Sequence, residues 1–261
     1  MGSAIAERIK NKYRVYVFDK DAQKTKNARG LRIVYNTKQL ALKSDIIIFA
    51  IKPQDFDSVL QETKDYVDNK LIISIAAGVE TLDIEKVLKN ARVIRVMPNL
   101  PAKVGEGMIC LCKGRYAKKS DLIFAKQLFK NLGKTMILKE NMMDESTAIS
   151  GSGPGYLYDI GEGKTLREIK VIAPSFAATL TSAASGIGFS PAEAKILAVN
   201  TTHGSITYLE KTKISPTEAK KQVASKRGTT EAGLKALKHK IGNLTKAVQA
   251  ALKRAKQLSK T

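Results

Sequence analysis

Four short patches of the sequence carry residues whose types and spacing suit ligand binding. Three of them close apolar, strand-like segments with small or polar residues, namely Ala50-Ile51-Lys52-Pro53-Gln54, Ala76-Ala77-Gly78 and Met97-Pro98-Asn99-Leu100-Pro101. Open α/β sheets bind ligands outside the carboxyl ends of parallel strands, where small residues leave room for them. Each patch alone is as well explained by an ordinary strand-to-helix turn. The three together indicate a binding edge.

The fourth patch, Ser225 to Leu234, is a Gly-containing loop that runs into a helix starting near Thr229. Free backbone N–H groups and the helix dipole, with the hydroxyls of Ser225 and Thr230, would form a small-anion site there. The alternative is a plain threonine N-cap, which the patch alone favours.

The elements that must position these patches alternate along the first half of the chain. We expect β-branched strands at 14–18, 45–51, 70–77 and 92–97, continued by 108–112 and 135–139, and helices at about 21–28, 37–43, 55–66 and 81–89. Strands apolar on both faces and separated by helices predict an α/β fold with a doubly wound parallel sheet.

The second half has a different pattern, with no convincing strand beyond about residue 143. A Gly-rich stretch, ISGSGPGY at 149–156, opens it, and SPAE at 190–193 and SPTE at 215–218 each predict a capped helix start. A stripe of Leu244, Val248, Leu252, Ala255 and Leu258 on the final helix could face a partner subunit. We therefore predict a dinucleotide-binding domain at 1–143 and an all-helical domain at 144–261.

Composition excludes several classes of protein. The chain is 43% hydrophobic and 26% charged, which is ordinary for a globular protein. No apolar run approaches the roughly 20 residues of a membrane-spanning helix, and the N-terminus lacks the pattern of a secretory signal. The two cysteines lie two residues apart inside one apolar run and only two histidines occur, so we expect no Cys/His zinc cage. We expect a cytoplasmic protein without a metal.

The net charge of +21 admits a nucleic-acid partner. The basic residues are spread along the chain without long runs and are not interleaved with aromatic residues, so a lysine-rich solvated surface explains them as well. No specific nucleic acid is expected.

The ordered set MGSAIA, AIKPQ, SIAAGV, RVMPNLPAKVGEGM, SGSGPGY and GTTEAGL resembles the pyrroline-5-carboxylate reductase family across nearly the whole chain. The resemblance implies a Rossmann domain followed by a helical dimerisation domain, forming a homodimer or a higher homo-oligomer. It also implies hydride transfer from NAD(P)H to pyrroline-5-carboxylate, which gives L-proline. A homologue without turnover that binds a metabolite or partner, and a basic nucleic-acid-binding protein, are the alternatives.

Carried over by position, the resemblance assigns the cofactor to Gly2, Ser3, Asp19, Lys20, Ala50, Lys52, Pro53, Ala76, Ala77, Gly78 and Asn99. It assigns the substrate carboxylate to Ser225, Gly228 and Thr229, and the ring nitrogen to Thr230, the candidate catalytic residue. His203 and His239 receive no role.

The sequence departs from the family pattern at three places. Gly2 fits the last glycine of G-x-G-x-x-G, and the preceding strand is absent from the sequence, so we expect a misplaced start or a trimmed chain. Arg227 replaces a loop glycine, which we expect to be tolerated only if Arg227 avoids positive φ. Residues 159–174 form an insertion, predicted to be exposed, whose GEGKT string lacks the first glycine of a phosphate loop.

The cofactor preference follows from Asp19-Lys20-Asp21, which ends the strand that meets the adenosine ribose. A carboxylate there accepts hydrogen bonds from ribose hydroxyls and repels a 2′-phosphate. Asp19 is the better ribose ligand, whereas Asp21 is expected to cap the next helix. We predict that NADH is used at least as well as NADPH.

Overall fold

A computed structural model of the protein describes residues 1–26, 28–89 and 91–259. Within them the strands are β1 (Tyr16–Val17), β2 (Arg32–Ile33), β3 (Ile46–Phe49), β4 (Leu71–Ser74), β5 (Arg92–Met97), β6 (Gly107–Lys113) and β7 (Gly133–Ile137). The helices are α1 (Gly2–Ile9), α2 (Thr37–Lys43), α3 (Phe56–Thr63), α4 (Thr81–Val87), α5 (Lys119–Phe129), α6 (Met143–Ser146), α7 (Gly153–Ile160), α8 (Leu166–Gly186), α9 (Pro191–Thr212), α10 (Pro216–Val223), α11 (Thr229–Leu237) and α12 (Leu244–Leu258).

The strands form a Rossmann-type arrangement in which β3, β4 and β5 are parallel. Ile46 pairs with Leu71, and Leu71 pairs with Arg92, in a five-stranded sheet of order β3-β4-β5-β6-β7. β4 is buried along its whole length, as its continuous apolar run predicts. The fold-class prediction is confirmed.

Two local predictions differ from the structure. The segment 21–28 forms only a 3-10 turn at Ala22–Lys24, and residue 27 of that prediction lies outside the described residues. β2 was not predicted, because it is only two residues long and both are exposed.

β1 and β3 belong to different sheets. β1 pairs in parallel with β2 in a separate two-stranded sheet.

The first compact unit comprises residues 1–96 and 111–131. Its core joins β3 and β4 to the helix that follows β3, and the rings of Phe49 and Phe56 meet edge to face at 5.6 Å. These buried aromatic rings fix the end of β3, where one of the candidate binding patches begins.

The second unit comprises residues 97–110 and 132–261, so it takes in segments that the sequence places in the first domain. Residues 97–110 group with the helices because α9 lies against the 3-10 turn Leu100–Val104. The predicted domain boundary at residue 143 stays a prediction.

The predicted helix starts of the second unit are confirmed. Ser190 and Ser215 each accept a hydrogen bond from the backbone N–H of the glutamate three residues on, with proline as the first helical residue. Each glutamate in turn accepts from the serine N–H, which completes a capping box.

The apolar stripe of α12, which could face a partner subunit, is instead mostly covered within the chain. Leu244 and Val248 are fully buried within the chain, because α12 lies against α11 and α8. The buried face also includes Ala247 and Ala251, two small residues that the stripe omitted.

The insertion at 159–174 is not exposed throughout. Its first residues end α7, where Asp159 and Ile160 are buried, and its last nine begin α8. The GEGKT string is the turn between these two helices, with Thr165 capping α8. Among the described residues, no helix is both long and apolar enough to cross a membrane.

Candidate active site

The two strand-end patches of the first unit follow adjacent parallel strands. Ala50, Lys52 and Pro53 come after β3, and Lys52 precedes a 3-10 turn that starts at Pro53. Ala76, Ala77 and Gly78 come after β4, and Gly78 adopts the left-handed conformation with φ of 77°. Since β3 and β4 are neighbours, the sheet brings these predicted cofactor residues to one edge.

Gly2 and Ser3 open α1, whose first turn presents backbone N–H groups without helical partners. A Cβ on Gly2 would lie 2.9 Å from the Cβ of Ala50. Glycine is therefore required for this close approach, which brings the helix N-terminus against the end of β3. A helix N-terminus beside a strand end lined by small residues suits the pyrophosphate of a dinucleotide.

The charged residues after β1 are already paired with one another. The Lys20 ammonium contacts a carboxylate oxygen of Asp55 at 2.8 Å, and the hydrogen bond and charge of Asp55 raise the pKa of Lys20. Asp19 Oδ1 accepts from the Asp21 N–H at 3.0 Å and lies 3.4 Å from Lys24 Nζ. Asp21 caps the following turn, as expected.

Asn99 is buried, and both ends of its side-chain amide bind the backbone of the second unit. Its Nδ2 donates to the carbonyl of Ser150 at 3.0 Å, and its Oδ1 accepts from the N–H of Met108 at 3.0 Å. This side chain therefore holds the Met-Pro-Asn turn in place. Its predicted place beside the cofactor stays a prediction.

The substrate loop ends at the N-terminus of α11, which begins at Thr229 as predicted. Ser225 lies over Gly228, since a Cβ on Gly228 would overlap the Ser225 hydroxyl. Thr229 is half-buried and Thr230 is buried. These four predicted residues are brought together, with free helical N–H groups beside two hydroxyls, which is an arrangement for a small anion.

Arg227 does not avoid positive φ, contrary to expectation, because its φ is 60°. The loop keeps the conformation that suits glycine, at a cost of about 1 kcal/mol or more for a non-glycine residue. Two hydrogen bonds hold it there, since the Arg227 N–H donates to Glu231 and its carbonyl accepts from Arg254 Nε at 2.8 Å. The side chains of Lys226 and Arg227 are exposed.

The ISGSGPGY stretch, whose residues have no role predicted from the sequence, packs against α11. The Thr230 hydroxyl donates to the hydroxyl of Ser152 at 3.1 Å. A Cβ on Gly155 would lie 2.6 Å from Thr230 Cγ2, and a Cβ on Gly233 would lie 2.6 Å from the Tyr156 hydroxyl. The stretch is therefore the surface on which α11 rests. Its unusual density of Gly and Ser was the only signal.

A cluster of charges lies at the C-terminal ends of α7 and α11. Lys220 Nζ contacts Asp159 at 3.0 Å and Glu162 at 2.7 Å, and His239 Nδ1 lies 3.3 Å from Asp159. Asp159, Glu162 and His239 are close enough to hold a metal, but the Lys220 ammonium already forms ion pairs with both carboxylates. The imidazole ring of His239 thus contacts this ion-pair cluster.

Cys110 and Cys112 are both buried thiols that form no disulfide. Burial raises the pKa of Cys110 to about 11, although the hydroxyls of Ser146 and Ser150 oppose the shift. Because the thiolate is the reactive form, Cys110 is unreactive at neutral pH.

Comparison with known proteins gives consistent matches for both parts of the chain. Residues 172–260 match the family model for pyrroline-5-carboxylate reductase dimerisation, and residues 1–78 match the model for NADP oxidoreductase, coenzyme F420-dependent. The pyrroline-5-carboxylate reductase of Synechocystis is 33% identical, covering 88% of this chain and 81% of the relative. That of Aquifex aeolicus is 31% identical, covering 99% and 94%.

A similar fold is found in the crystal structure of Plasmodium falciparum pyrroline carboxylate reductase with NADP bound. The TM-score is 0.62 at 30% identity, with 99% of this chain and 94% of that chain covered. A Rossmann-type sheet with small residues at its strand ends, followed by a helical region, defines a dinucleotide-dependent oxidoreductase. The chain belongs to the pyrroline-5-carboxylate reductase family.

Proposed function

We propose that the protein reduces 1-pyrroline-5-carboxylate to L-proline with NAD(P)H, the last step of proline biosynthesis. The observation that carries the proposal is the N-terminus of α11, where Ser225, Gly228, Thr229 and Thr230 come together in a chain of this family. Cytoplasmic localisation accompanies the proposal.

The substrate has two polar groups on a small ring, a carboxylate and an imine nitrogen. The carboxylate suits the free N–H groups of the first turn of α11, the Ser225 hydroxyl and the positive end of the helix dipole. Thr230 lies in the same helical turn as these groups, so its hydroxyl takes the ring nitrogen. A protonated imine is already electrophilic, so positioning supplies most of the catalysis and no covalent nucleophile is needed.

The residues at the strand ends of the first unit fit a dinucleotide. The N-terminus of α1 takes the pyrophosphate, and the contact of Gly2 with Ala50 leaves no side chain in the way. Ala50, Lys52, Pro53, Ala76, Ala77 and Gly78 provide a surface for the nicotinamide half, with Asn99 bracing the next turn. When bound, the cofactor supplies the hydride.

The pairing of charges after β1 favours NADH. Lys20, the cation that would hold a 2′-phosphate, is already engaged by Asp55. Asp19 leaves its second carboxylate oxygen for the ribose hydroxyls and places negative charge where a phosphate would lie.

The protein forms a homo-oligomer with a homodimer as its smallest unit. The stretch that matches the dimerisation model begins at residue 172, inside α8. Side chains of α8 and α9 remain exposed in the single chain, among them Val171, which is 75% exposed, with Ile196 and Val199. Such an apolar helix face is suited to a second copy of the chain.

A steady-state assay tests this proposal. Purified protein is given pyrroline-5-carboxylate with NADH or NADPH, and cofactor oxidation and proline formation are measured together. Equal amounts of oxidised cofactor and proline support the proposal. A lack of turnover with both NADH and NADPH would contradict the proposal.

A further inference from the structure

Three hydroxyl groups form a directed hydrogen-bonded chain at the N-terminus of α11. The Thr230 hydroxyl donates to Ser152 Oγ at 3.1 Å, and the Ser152 hydroxyl donates to Thr229 Oγ1 at 3.4 Å. Ser152 itself is fully buried. Each hydroxyl has one proton to give, so this chain fixes where the proton of Thr230 points.

The direction of the chain determines what Thr230 offers to a ligand. Its proton is given to Ser152, so only the lone pairs of its oxygen remain. A protonated cyclic imine carries an N–H and no free lone pair on nitrogen, so it needs an acceptor. A Thr230 hydroxyl that rotated and presented its own proton would repel that N–H.

We propose that Ser152 is a positioning residue, which holds the Thr230 hydroxyl as an acceptor for the ring N–H of the substrate. The inference rests on the proposed function and adds to it a residue that does not touch the substrate. It also gives a role to the SGSGPGY stretch, whose second serine is Ser152.

The backbone on both sides holds Ser152 in place. The segment Thr147–Gly151 is a π-helix, and the Ser152 N–H donates to the carbonyl of Thr147 at 2.9 Å. π-Helical turns frequently occur at functional sites. On the other side α7 begins, where a Cβ on Gly153 would lie 2.7 Å from the side chain of Thr201. The backbone of Ser152 is therefore held from both sides, as a positioning residue requires.

Tyr156 packs against α11, beside Ser152. Its ring is fully buried, and burial raises the pKa of its hydroxyl well above the usual value although Ser152 opposes the shift. A neutral tyrosine is retained at neutral pH, so no charge beside Ser152 disturbs the direction of the hydroxyl chain.

The test is a double-mutant cycle with Ser152→Ala and Thr230→Val, read as kcat/KM for pyrroline-5-carboxylate and as the Kd of L-proline in the absence of cofactor. Alone, Ser152→Ala should lower kcat/KM by about 2- to 10-fold, the range for one hydrogen bond. L-Proline also presents N–H donors, so its Kd should rise by a similar factor. In the Thr230→Val background, Ser152→Ala should change neither quantity, because the hydroxyl it orients is gone.

Ser205→Ala is the matched control, since Ser205 is also fully buried and its hydroxyl donates to the carbonyl of Thr201, at 2.6 Å. It should leave kcat/KM and the Kd of L-proline unchanged. If Ser152→Ala does not fold, Ser152→Cys can replace it, because the thiol has a similar volume and is a weaker hydrogen-bond acceptor. The same changes in kcat/KM and in the Kd of L-proline are expected for this variant.

The inference would be overturned if the effects of Ser152→Ala and Thr230→Val on kcat/KM were fully additive. Additivity would mean that Ser152 acts in the same way without the Thr230 hydroxyl, as a residue with a purely structural role does. An unchanged kcat/KM in Ser152→Ala would overturn it as well. Both outcomes presuppose an active unmutated protein. An inactive unmutated protein would instead contradict the proposed function, while the Kd of L-proline still tests Ser152.

Discussion

Gly204 of α9 lies directly against the carbonyl oxygen of Glu106, where a Cβ would overlap that oxygen. A side chain at this position would also come within 3.1 Å of Pro101. The absence of a side chain therefore allows α9 to approach the segment that carries the Met-Pro-Asn turn, because neither backbone can give way cheaply.

Gly204→Ala should lower the free energy of unfolding by about 1–3 kcal/mol, the usual cost of overpacking. Gly186→Ala is the control, because Gly186 ends α8 with open space around the position of a Cβ. Alanine there should leave stability unchanged or raise it by up to about 1 kcal/mol. Urea denaturation of both variants measures this, and equal stabilities would contradict the close contact.

The NADH preference predicts a ratio of kcat/KM values. The unmutated protein should have kcat/KM for NADH at least equal to that for NADPH, and Asp19→Asn should move the ratio toward NADPH by removing the negative charge. Asp21→Asn is the comparison, because the Asp21 side chain caps the backbone N–H of Gln23. It should move the ratio less. A strong NADPH preference that Asp19→Asn does not alter would refute the assignment.

The ion-pair cluster at the end of α7 predicts a dependence of stability on pH. Burial disfavours ionisation of Glu162, but the hydrogen bond and charge of Lys220 outweigh it, so the pKa of Glu162 lies below its usual value of 4.5. A carboxyl whose pKa is lowered by folding stabilises the fold above its unfolded pKa and loses that contribution as the pH falls. The free energy of unfolding should therefore decrease as the pH drops below about 4.5.

Glu162→Gln should reduce the slope of this fall, with a loss of about 1 kcal/mol or less at pH 7. In a Lys220→Gln background, the same substitution should change the slope much less, because the partner that lowers the pKa is gone. Denaturation at several pH values between 3 and 7 measures both. Identical slopes for Glu162→Gln and the unmutated protein would show that the ion pair does not form in solution.

The sequence predicted most of the fold because its signals were local. β4 is a continuous apolar run, and the starts of α9 and α10 carry Ser-Pro-x-Glu, so each segment specifies its own element. β2 was not predicted because two exposed residues show no hydrophobic pattern, and because its pairing with β1 joins segments distant in the sequence. The burial of α12 was missed because an apolar stripe does not say which surface covers it.

The site was predictable only where one short segment carried it. The loop from Ser225 to Thr230 is contiguous, and its helix begins where the glycine and threonines indicate. The bond from Thr230 to Ser152 joins residues 78 positions apart, so no spacing rule could find it. The expectation that Arg227 avoids positive φ was wrong, because its two hydrogen bonds hold a left-handed conformation that its side chain disfavours.

The most direct test of the account is kcat/KM for pyrroline-5-carboxylate in Thr230→Val, which keeps the shape of the side chain and removes the hydroxyl. A positioned hydrogen bond contributes about 1–3 kcal/mol, so kcat/KM should fall by roughly 5- to 150-fold while cofactor binding barely changes. An unaltered kcat/KM in this variant, with the unmutated protein active, would remove Thr230 from the mechanism.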